Sequence, residues 1–149
     1  MTKILFVCLG NICRSPMPEF MFKDMINKNN LQDKFSASSA ATSYEEEGNP
    51  LYGYARDILQ KYNIPIGPHK AHRMQKSDYD KYDLIIGMEE SNVHNIMRII
   101  GEDPLNKVHR LLDFSSNPRD IADPWYTGNF EVAYRDIKEG LEALLNHFK

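Results

Sequence analysis

The sequence predicts an α/β fold, in which helices cover both faces of an open sheet of about four parallel strands. Three observations support this prediction. The length of 149 residues fits a single domain that spans residues 1–149. Two short segments are apolar at nearly every position, which is typical of strands buried on both faces. Segments with apolar residues at helical spacing alternate with the predicted strands.

The predicted strands are short, and the first is the clearest. It covers residues 3–8 and stops before the turn-forming pair Gly10 and Asn11. A second buried strand is predicted at residues 84–88. Residues 35–41 and 108–112 are weaker candidates, the former because it is rich in small side chains.

Four amphipathic helices are predicted between and after these strands. The first runs from about residue 15 to residue 29, and the second includes residues 54–62. The third includes residues 93–100 and is closed by Gly101, a common residue just after a helix. The last is long and extends over residues 130–148 with near-ideal spacing of its apolar residues.

Composition excludes several classes of protein. Eighteen basic and twenty-one acidic residues give a net charge of −3, which argues against a nucleic-acid partner. We expect no membrane partner, because no apolar run approaches the roughly 20 residues that cross a bilayer. The start lacks a signal-peptide pattern, and two cysteines make no disulfide framework. We therefore expect a cytoplasmic protein with reduced thiols, as a monomer or weak dimer.

The loop after the first predicted strand has the composition of a phosphate-binding loop. It consists of Leu9, Gly10, Asn11, Ile12, Cys13, Arg14 and Ser15. If the loop curls, its backbone N–H groups converge on one point, and the following helix adds its positive N-terminus. Gly10 and Asn11 are suited to the positive φ that such a curl requires. The guanidinium of Arg14 is suited to binding two oxygens of an anion.

Cys8 lies at the start of this loop, and its surroundings favour a nucleophilic thiolate. The helix N-terminus, the loop amides and Arg14 all stabilise negative charge on the sulfur. Ser15 is a favourable N-cap, and its hydroxyl is also suited to donate to Cys8. The alternative is a buried cysteine beside an ion-paired arginine. The spacing Cys-x5-Arg-Ser between a buried strand and a helix favours the phosphate site.

Residues 7–16 (VCLGNICRSP) resemble the signature of the low-molecular-weight protein tyrosine phosphatases. The similarity continues at residues 39–42, 48–50 and 88–92 and at Asp123-Pro124, so that it covers nearly the whole chain. The resemblance implies hydrolysis of phosphotyrosine in proteins through a phosphocysteine intermediate on Cys8. It further implies no cofactor and no metal, with tyrosine-phosphorylated proteins as substrates and inorganic phosphate or similar oxyanions in the loop.

The same resemblance assigns the remaining catalytic roles. Arg14 binds the phosphate, and Asp123 protonates the leaving oxygen and then deprotonates the attacking water. Considered alone, an aspartate before a proline is equally typical of a turn. The match to the family favours the catalytic role.

The predicted substrate pocket is formed by side chains that flank the loop. Leu9 and Ile12 offer apolar contacts, and Trp125 and Tyr126 are suited to enclose an aromatic ring. Family members that favour phosphoarginine tend to carry threonine in place of Ile12, so isoleucine favours phosphotyrosine. Glu45 stands where many members have tryptophan. Its acidic neighbours either disfavour acidic phosphopeptides or form a solvated loop.

Supporting roles follow from the resemblance as well. Asn11 is expected to hold the strained turn through side-chain bonds to Ser39 and His69, and Ser15 to support Cys8. Cys13 is either a buried loop residue or a partner that bridges to Cys8 under oxidation, which would protect the nucleophile.

Three other functions compete with this interpretation. A protein-arginine-phosphate phosphatase is the closest alternative. Arsenate reductases of this fold use a similar loop, but those coupled to thioredoxin need cysteines beyond the two present. A non-catalytic phosphate-binding module needs neither the thiol of Cys8 nor the acid of Asp123.

Overall fold

Strands and helices alternate along the chain in a computed structural model that describes residues 1–148. The strands are β1 (Thr2–Cys8), β2 (Phe35–Ala41), β3 (Leu84–Gly87) and β4 (Val108–Arg110). The helices are α1 (Pro16–Lys28), α2 (Gly53–Lys61), α3 (Asp78–Lys81), α4 (Glu90–Ile100), α5 (Pro124–Thr127) and α6 (Phe130–His147). A turn of 3₁₀-helix, Leu111–Phe114, follows β4.

The sheet has the strand order β2-β1-β3-β4, and all three strand pairs are parallel. The predicted fold class is therefore confirmed. The fourth predicted strand is too long, because the chain leaves the sheet after Arg110. There the Asp113 carboxylate accepts a hydrogen bond from the Arg110 N–H (3.0 Å) and starts the 3₁₀ turn.

Successive residues of β1 point to opposite faces of the sheet, and both faces are covered by helices. Ile4 and Phe6 pack in a core cluster with apolar side chains of α1, α2 and α6. Leu5 and Val7 pack on the other face with Ile96 of α4. The uninterrupted apolar character of β1 follows from this double burial.

The four predicted helices are confirmed, with ends that shift by a few residues. Pro16 begins α1, and Gly101 follows α4 with a φ of +81°. The helices α3 and α5 were not predicted, because four residues are too few for a periodic pattern. Within residues 1–148, no helix combines the length and apolarity needed to span a membrane.

The parallel arrangement brings the ends of neighbouring strands to one edge of the sheet. β1 ends at Cys8 and β3 at Gly87, so the loops that follow these strands meet there. A Cβ atom on Gly87 would lie 2.9 Å from Cβ of Asn92, so glycine permits the close return of α4. This edge is where open parallel sheets bind ligands.

Candidate active site

Residues 9–15 curl from the end of β1 into α1. Asn11 has a left-handed φ of +59°, and its backbone N–H donates to Cys8 Sγ at 3.2 Å. The positive φ expected in the loop is confirmed for Asn11 and wrong for Gly10, whose φ is negative. A Cβ atom on Gly10 would lie 3.3 Å from Glu46 Cγ, so glycine here gives room to the neighbouring acidic segment.

The Ser15 hydroxyl faces the sulfur of Cys8 instead of capping α1. Its Oγ lies 3.1 Å from Cys8 Sγ and 3.3 Å from the Ala40 carbonyl oxygen, and it accepts from Asn11 Nδ2 at 2.8 Å. The expectation that Ser15 caps the helix through its side chain is therefore wrong. The Cys8 thiol donates to Ser15 Oγ, and the Ser15 hydroxyl donates its own proton to the Ala40 carbonyl. Ser15 and Cys8 are thus in direct contact, and the support of Cys8 by Ser15 in the reaction stays a prediction.

Arg14 is almost fully buried beneath the loop, and three acceptors fix its guanidinium. Nη1 donates to the Ile121 carbonyl at 2.9 Å and lies 3.0 Å from Glu89 Oε2. Nη2 lies 3.3 Å from Asp123 Oδ2. An arginine fixed in this way is suited to bind an anion, because little rotamer freedom remains to be lost on binding.

Glu89 was not assigned a role from the sequence, yet it is the nearest carboxylate to Arg14. It follows β3, the strand beside β1, and also accepts a hydrogen bond from Ser91 Oγ at 2.6 Å. One signal was available in the sequence. An acidic residue directly after a buried strand lies at the edge where the arginine of the neighbouring loop also lies.

Asp123 is both a helix cap and a wall of the site. Its Oδ1 accepts from the Trp125 N–H at 2.9 Å, which caps the short helix α5, and its Oδ2 faces Arg14. The turn-forming and site-forming interpretations of this aspartate are thus compatible. Capping fixes the carboxylate at the edge of the pocket.

A pocket of about 160 Å³ opens above the sulfur. Its lining includes all the loop residues except Ser15, together with Cys8, Asp123 and the side chains predicted to flank it: Leu9, Ile12, Glu45, Trp125 and Tyr126. Glu46, one of the acidic neighbours of Glu45, also lines the pocket. Ile12 is buried, whereas Trp125 and Tyr126 are 52% and 79% exposed at the mouth.

The supporting contacts of Asn11 differ from the expectation. His69 Nε2 lies 2.7 Å from the backbone oxygen of Asn11, and the His72 N–H donates to Asn11 Oδ1 at 3.3 Å. Ser39 Oγ donates to the Glu19 carboxylate. The predicted side-chain bonds from Asn11 to Ser39 and His69 are therefore wrong. The Glu19 carboxylate is a stronger acceptor for the Ser39 hydroxyl than the side-chain amide of Asn11 would be. The His69 ring contacts the loop at the backbone oxygen of Asn11 and not at its side chain.

Cys13 is a buried free thiol, as is Cys8. Burial raises the pKa of Cys13 to about 12, and negative charge at Cys8 and Asp123 adds to this rise. Cys13 is therefore neutral at physiological pH, which makes it a poor nucleophile. The disulfide between Cys8 and Cys13 stays a prediction.

The geometry gathers three kinds of chemical group around one small pocket. The sulfur of Cys8 accepts a backbone hydrogen bond and donates one to the hydroxyl of Ser15, and a fixed guanidinium and a carboxyl group line the same pocket. Such a set is suited to displacement at an oxyanion centre. Among residues 1–148, no cluster of three or more His, Cys, Asp or Glu side chains is placed to hold a metal ion.

Comparison with known families gives one match over nearly the whole chain. The model described as low molecular weight phosphotyrosine protein phosphatase matches residues 3–149. A curated relative, the low molecular weight protein-tyrosine-phosphatase YfkJ of Bacillus subtilis, is 40% identical over 97% of this chain and 94% of its own. PtpA of Staphylococcus haemolyticus is 35% identical over 98% of this chain and 93% of its own.

Solved structures agree with the sequence comparison. The crystal structure of YfkJ covers 99% of this chain and 94% of its own, with a TM-score of 0.94 and 39% identity. The crystal structure of a Drosophila arginine phosphatase is also similar, with a TM-score of 0.91 and 28% identity. It covers 99% of this chain and 98% of its own.

Proposed function

The chain belongs to the low molecular weight phosphotyrosine protein phosphatase family, and we propose from this premise how its residues divide the reaction. The chain is a cysteine-dependent protein tyrosine phosphatase. Cys8 is the nucleophile, Arg14 binds the phosphoryl group, and Asp123 is the general acid and base. The observation that carries these assignments is the sulfur of Cys8, held by Asn11 and Ser15 at the floor of the pocket that Arg14 and Asp123 line.

The first step transfers the phosphoryl group to sulfur. The Cys8 thiolate attacks phosphorus, and a P–S bond forms as the bond to the tyrosine oxygen breaks. The electron pair of that bond leaves with the phenolic oxygen, which takes the proton of Asp123. Protonation matters because the phenol has a pKa near 10, so that an unprotonated phenolate is a poor leaving group. The guanidinium of Arg14 and the loop N–H groups stabilise the charge on the phosphoryl oxygens.

The second step releases phosphate. The carboxylate of Asp123 removes a proton from a water molecule, which attacks the phosphorus of the phosphocysteine. The P–S bond breaks, its electron pair returns to sulfur, and the Ser15 hydroxyl stabilises the thiolate. Inorganic phosphate leaves, and Cys8 and Asp123 regain their starting forms with no net consumption of either group.

The pocket walls support tyrosine-phosphorylated proteins as substrates. Trp125 and Tyr126 stand exposed at the mouth and are suited to contact both faces of a phenyl ring. The branched side chain of Ile12 lines the pocket on the side of the loop. Because the chemistry requires a reduced Cys8, the cytoplasm is the fitting compartment.

The substrate class is tested with three peptides of one sequence that carry phosphotyrosine, phosphoserine or phosphoarginine, in the presence of EDTA and reductant. We expect kcat/KM to be at least about 10²-fold higher for phosphotyrosine than for either other peptide, because only its ring reaches both aromatic side chains. The structural similarity to an arginine phosphatase makes phosphoarginine the informative competitor. A preference for phosphoarginine would contradict the proposal.

The Asp123→Ala variant is expected to lose activity in proportion to the basicity of the leaving group. Turnover of phenyl phosphate, whose leaving oxygen needs a proton, should fall by about 10²-fold or more. Turnover of an aryl phosphate with a strongly acidic phenol should fall by less than about tenfold in the transfer step, measured as a pre-steady-state burst. Equal losses for both substrates in this step would remove Asp123 as the acid.

A further inference from the structure

A row of aromatic side chains leads away from the mouth of the active-site pocket. Trp125, which lines the pocket, packs against Tyr52 with ring centroids 4.8 Å apart. Tyr52 stacks on Phe130 at 6.1 Å, and Tyr54 contacts these two rings at 5.6 and 5.8 Å. We call these four residues the aromatic row. It forms a continuous apolar path over the surface between α5, α2 and α6.

The aromatic row ends at a second depression, of about 340 Å³, between α2 and the start of α6. Tyr54, Ile58 and Phe130 give it apolar walls. Its rim carries Lys61 and Glu131, which form an ion pair with each other, and the further carboxylate of Asp57. The rim is therefore net negative, which makes it unsuited to a second phosphate and leaves the apolar walls as its binding feature.

Part of the aromatic row is open to solvent. Tyr54 and Trp125 are 63% and 52% exposed, whereas the inner members Tyr52 and Phe130 pack against the core. Contiguous exposed aromatic surface is typical of binding sites, since isolated apolar side chains are common but joined ones are not. The row is continuous with the substrate pocket through Trp125. The occupant it fits is thus the polypeptide that carries the phosphotyrosine.

We propose that the second depression is a substrate subsite that takes an aromatic or large aliphatic side chain of the phosphoprotein, while its phosphotyrosine lies over Cys8. This inference rests on the proposed function and adds a sequence requirement to it. The two ring-to-ring steps from Trp125 to Phe130 correspond to about three residues of extended chain. The preferred apolar residue therefore lies about three to five positions from the phosphotyrosine.

The test uses phosphotyrosine peptides that differ only by phenylalanine or alanine at one position, moved through the flanks on both sides. At one register, kcat/KM for the phenylalanine peptide should exceed that for the alanine peptide by about tenfold. Rates are normalised to hydrolysis of p-nitrophenyl phosphate, which is too small to reach the subsite. In Tyr54→Ala this preference should fall to less than about twofold. Leu105→Ala, which removes another exposed apolar side chain, should keep it.

Binding of the same peptides to Cys8→Ser separates this proposal from the proposed function. If the chain failed to hydrolyse phosphotyrosine, the binding preference for phenylalanine and its loss in Tyr54→Ala would still support the subsite. The absence of a phenylalanine preference at every register would overturn it, and so would a preference that persists in Tyr54→Ala. Association of two copies through the row, detected by sedimentation and abolished in Tyr54→Ala without any peptide preference, would overturn it too.

Discussion

Replacing Cys8 by serine is expected to reduce hydrolysis of aryl phosphates by at least about 10⁴-fold, as loss of a catalytic nucleophile typically does. A serine hydroxyl ionises far less readily than a thiol, so the variant lacks the attacking anion. The loop N–H groups and Arg14 are unchanged, so inorganic phosphate should still bind. The measurement is steady-state turnover of p-nitrophenyl phosphate with EDTA and reductant, together with phosphate binding by calorimetry.

Cys13→Ser is the matched control for this substitution. The native Cys13 lies in the same loop as Cys8. The Cys13 thiol is neutral at physiological pH, because burial raises its pKa to about 12. We expect Cys13→Ser to keep turnover within about tenfold of the native chain, as a neutral thiol contributes no nucleophile. Similar turnover by the native chain and Cys8→Ser would show that another group attacks phosphorus.

Replacing Arg14 by lysine is expected to lower kcat/KM for aryl phosphates by about 10²- to 10³-fold. Lysine keeps the positive charge but loses the planar fork, which is needed to contact two phosphoryl oxygens at once. It also cannot bond the Ile121 carbonyl, Glu89 and Asp123 together, which now hold the side chain in place. Both kcat and the inhibition constant of inorganic phosphate should change.

Arg119→Lys provides the comparison for this substitution. Arg119 pairs with Asp136 and Glu139 and does not line the pocket, so its exchange tests the general effect of replacing an ion-paired arginine. It should leave kcat/KM within about twofold, because surface ion pairs contribute little. A loss in Arg14→Lys no larger than in Arg119→Lys would mean that Arg14 serves only to hold the fold together.

The parts of the fold that were predictable from sequence are those with long, repeated patterns. The buried strand β1 and the helix α6 each carry an unambiguous apolar pattern, and the alternation of such elements specifies a parallel sheet. The short helices α3 and α5 and the 3₁₀ turn after β4 were not predictable in this way. Their positions depend on a few local hydrogen bonds, such as those between Arg110 and Asp113 and those from the α5 backbone N–H groups to Asp123.

In the candidate site, too, features of one short segment were predictable and contacts between distant segments were not. The loop itself is a local sequence feature, so its composition predicts a phosphate site before any tertiary contact is known. The role of Glu89 and the partners of Asn11 depend on contacts between segments far apart in the chain. A resemblance to a family suggests hydrogen-bond partners for such residues only by analogy with other members. In this chain Glu19 competes for Ser39, and that competition is visible only in three dimensions.

In the proposed mechanism the phosphoryl group passes through the sulfur of Cys8, so the decisive experiment locates the phosphoryl group on the intermediate. The native chain is mixed with an aryl phosphate and quenched within milliseconds, and its peptides are mapped by mass spectrometry. We expect one phosphoryl group on the peptide that contains Cys8 and Cys13, retained in Cys13→Ser and absent in Cys8→Ser. A phosphoryl group that persists in Cys8→Ser, or hydrolysis by the native chain with no phosphorylated cysteine at any quench time, would contradict this mechanism.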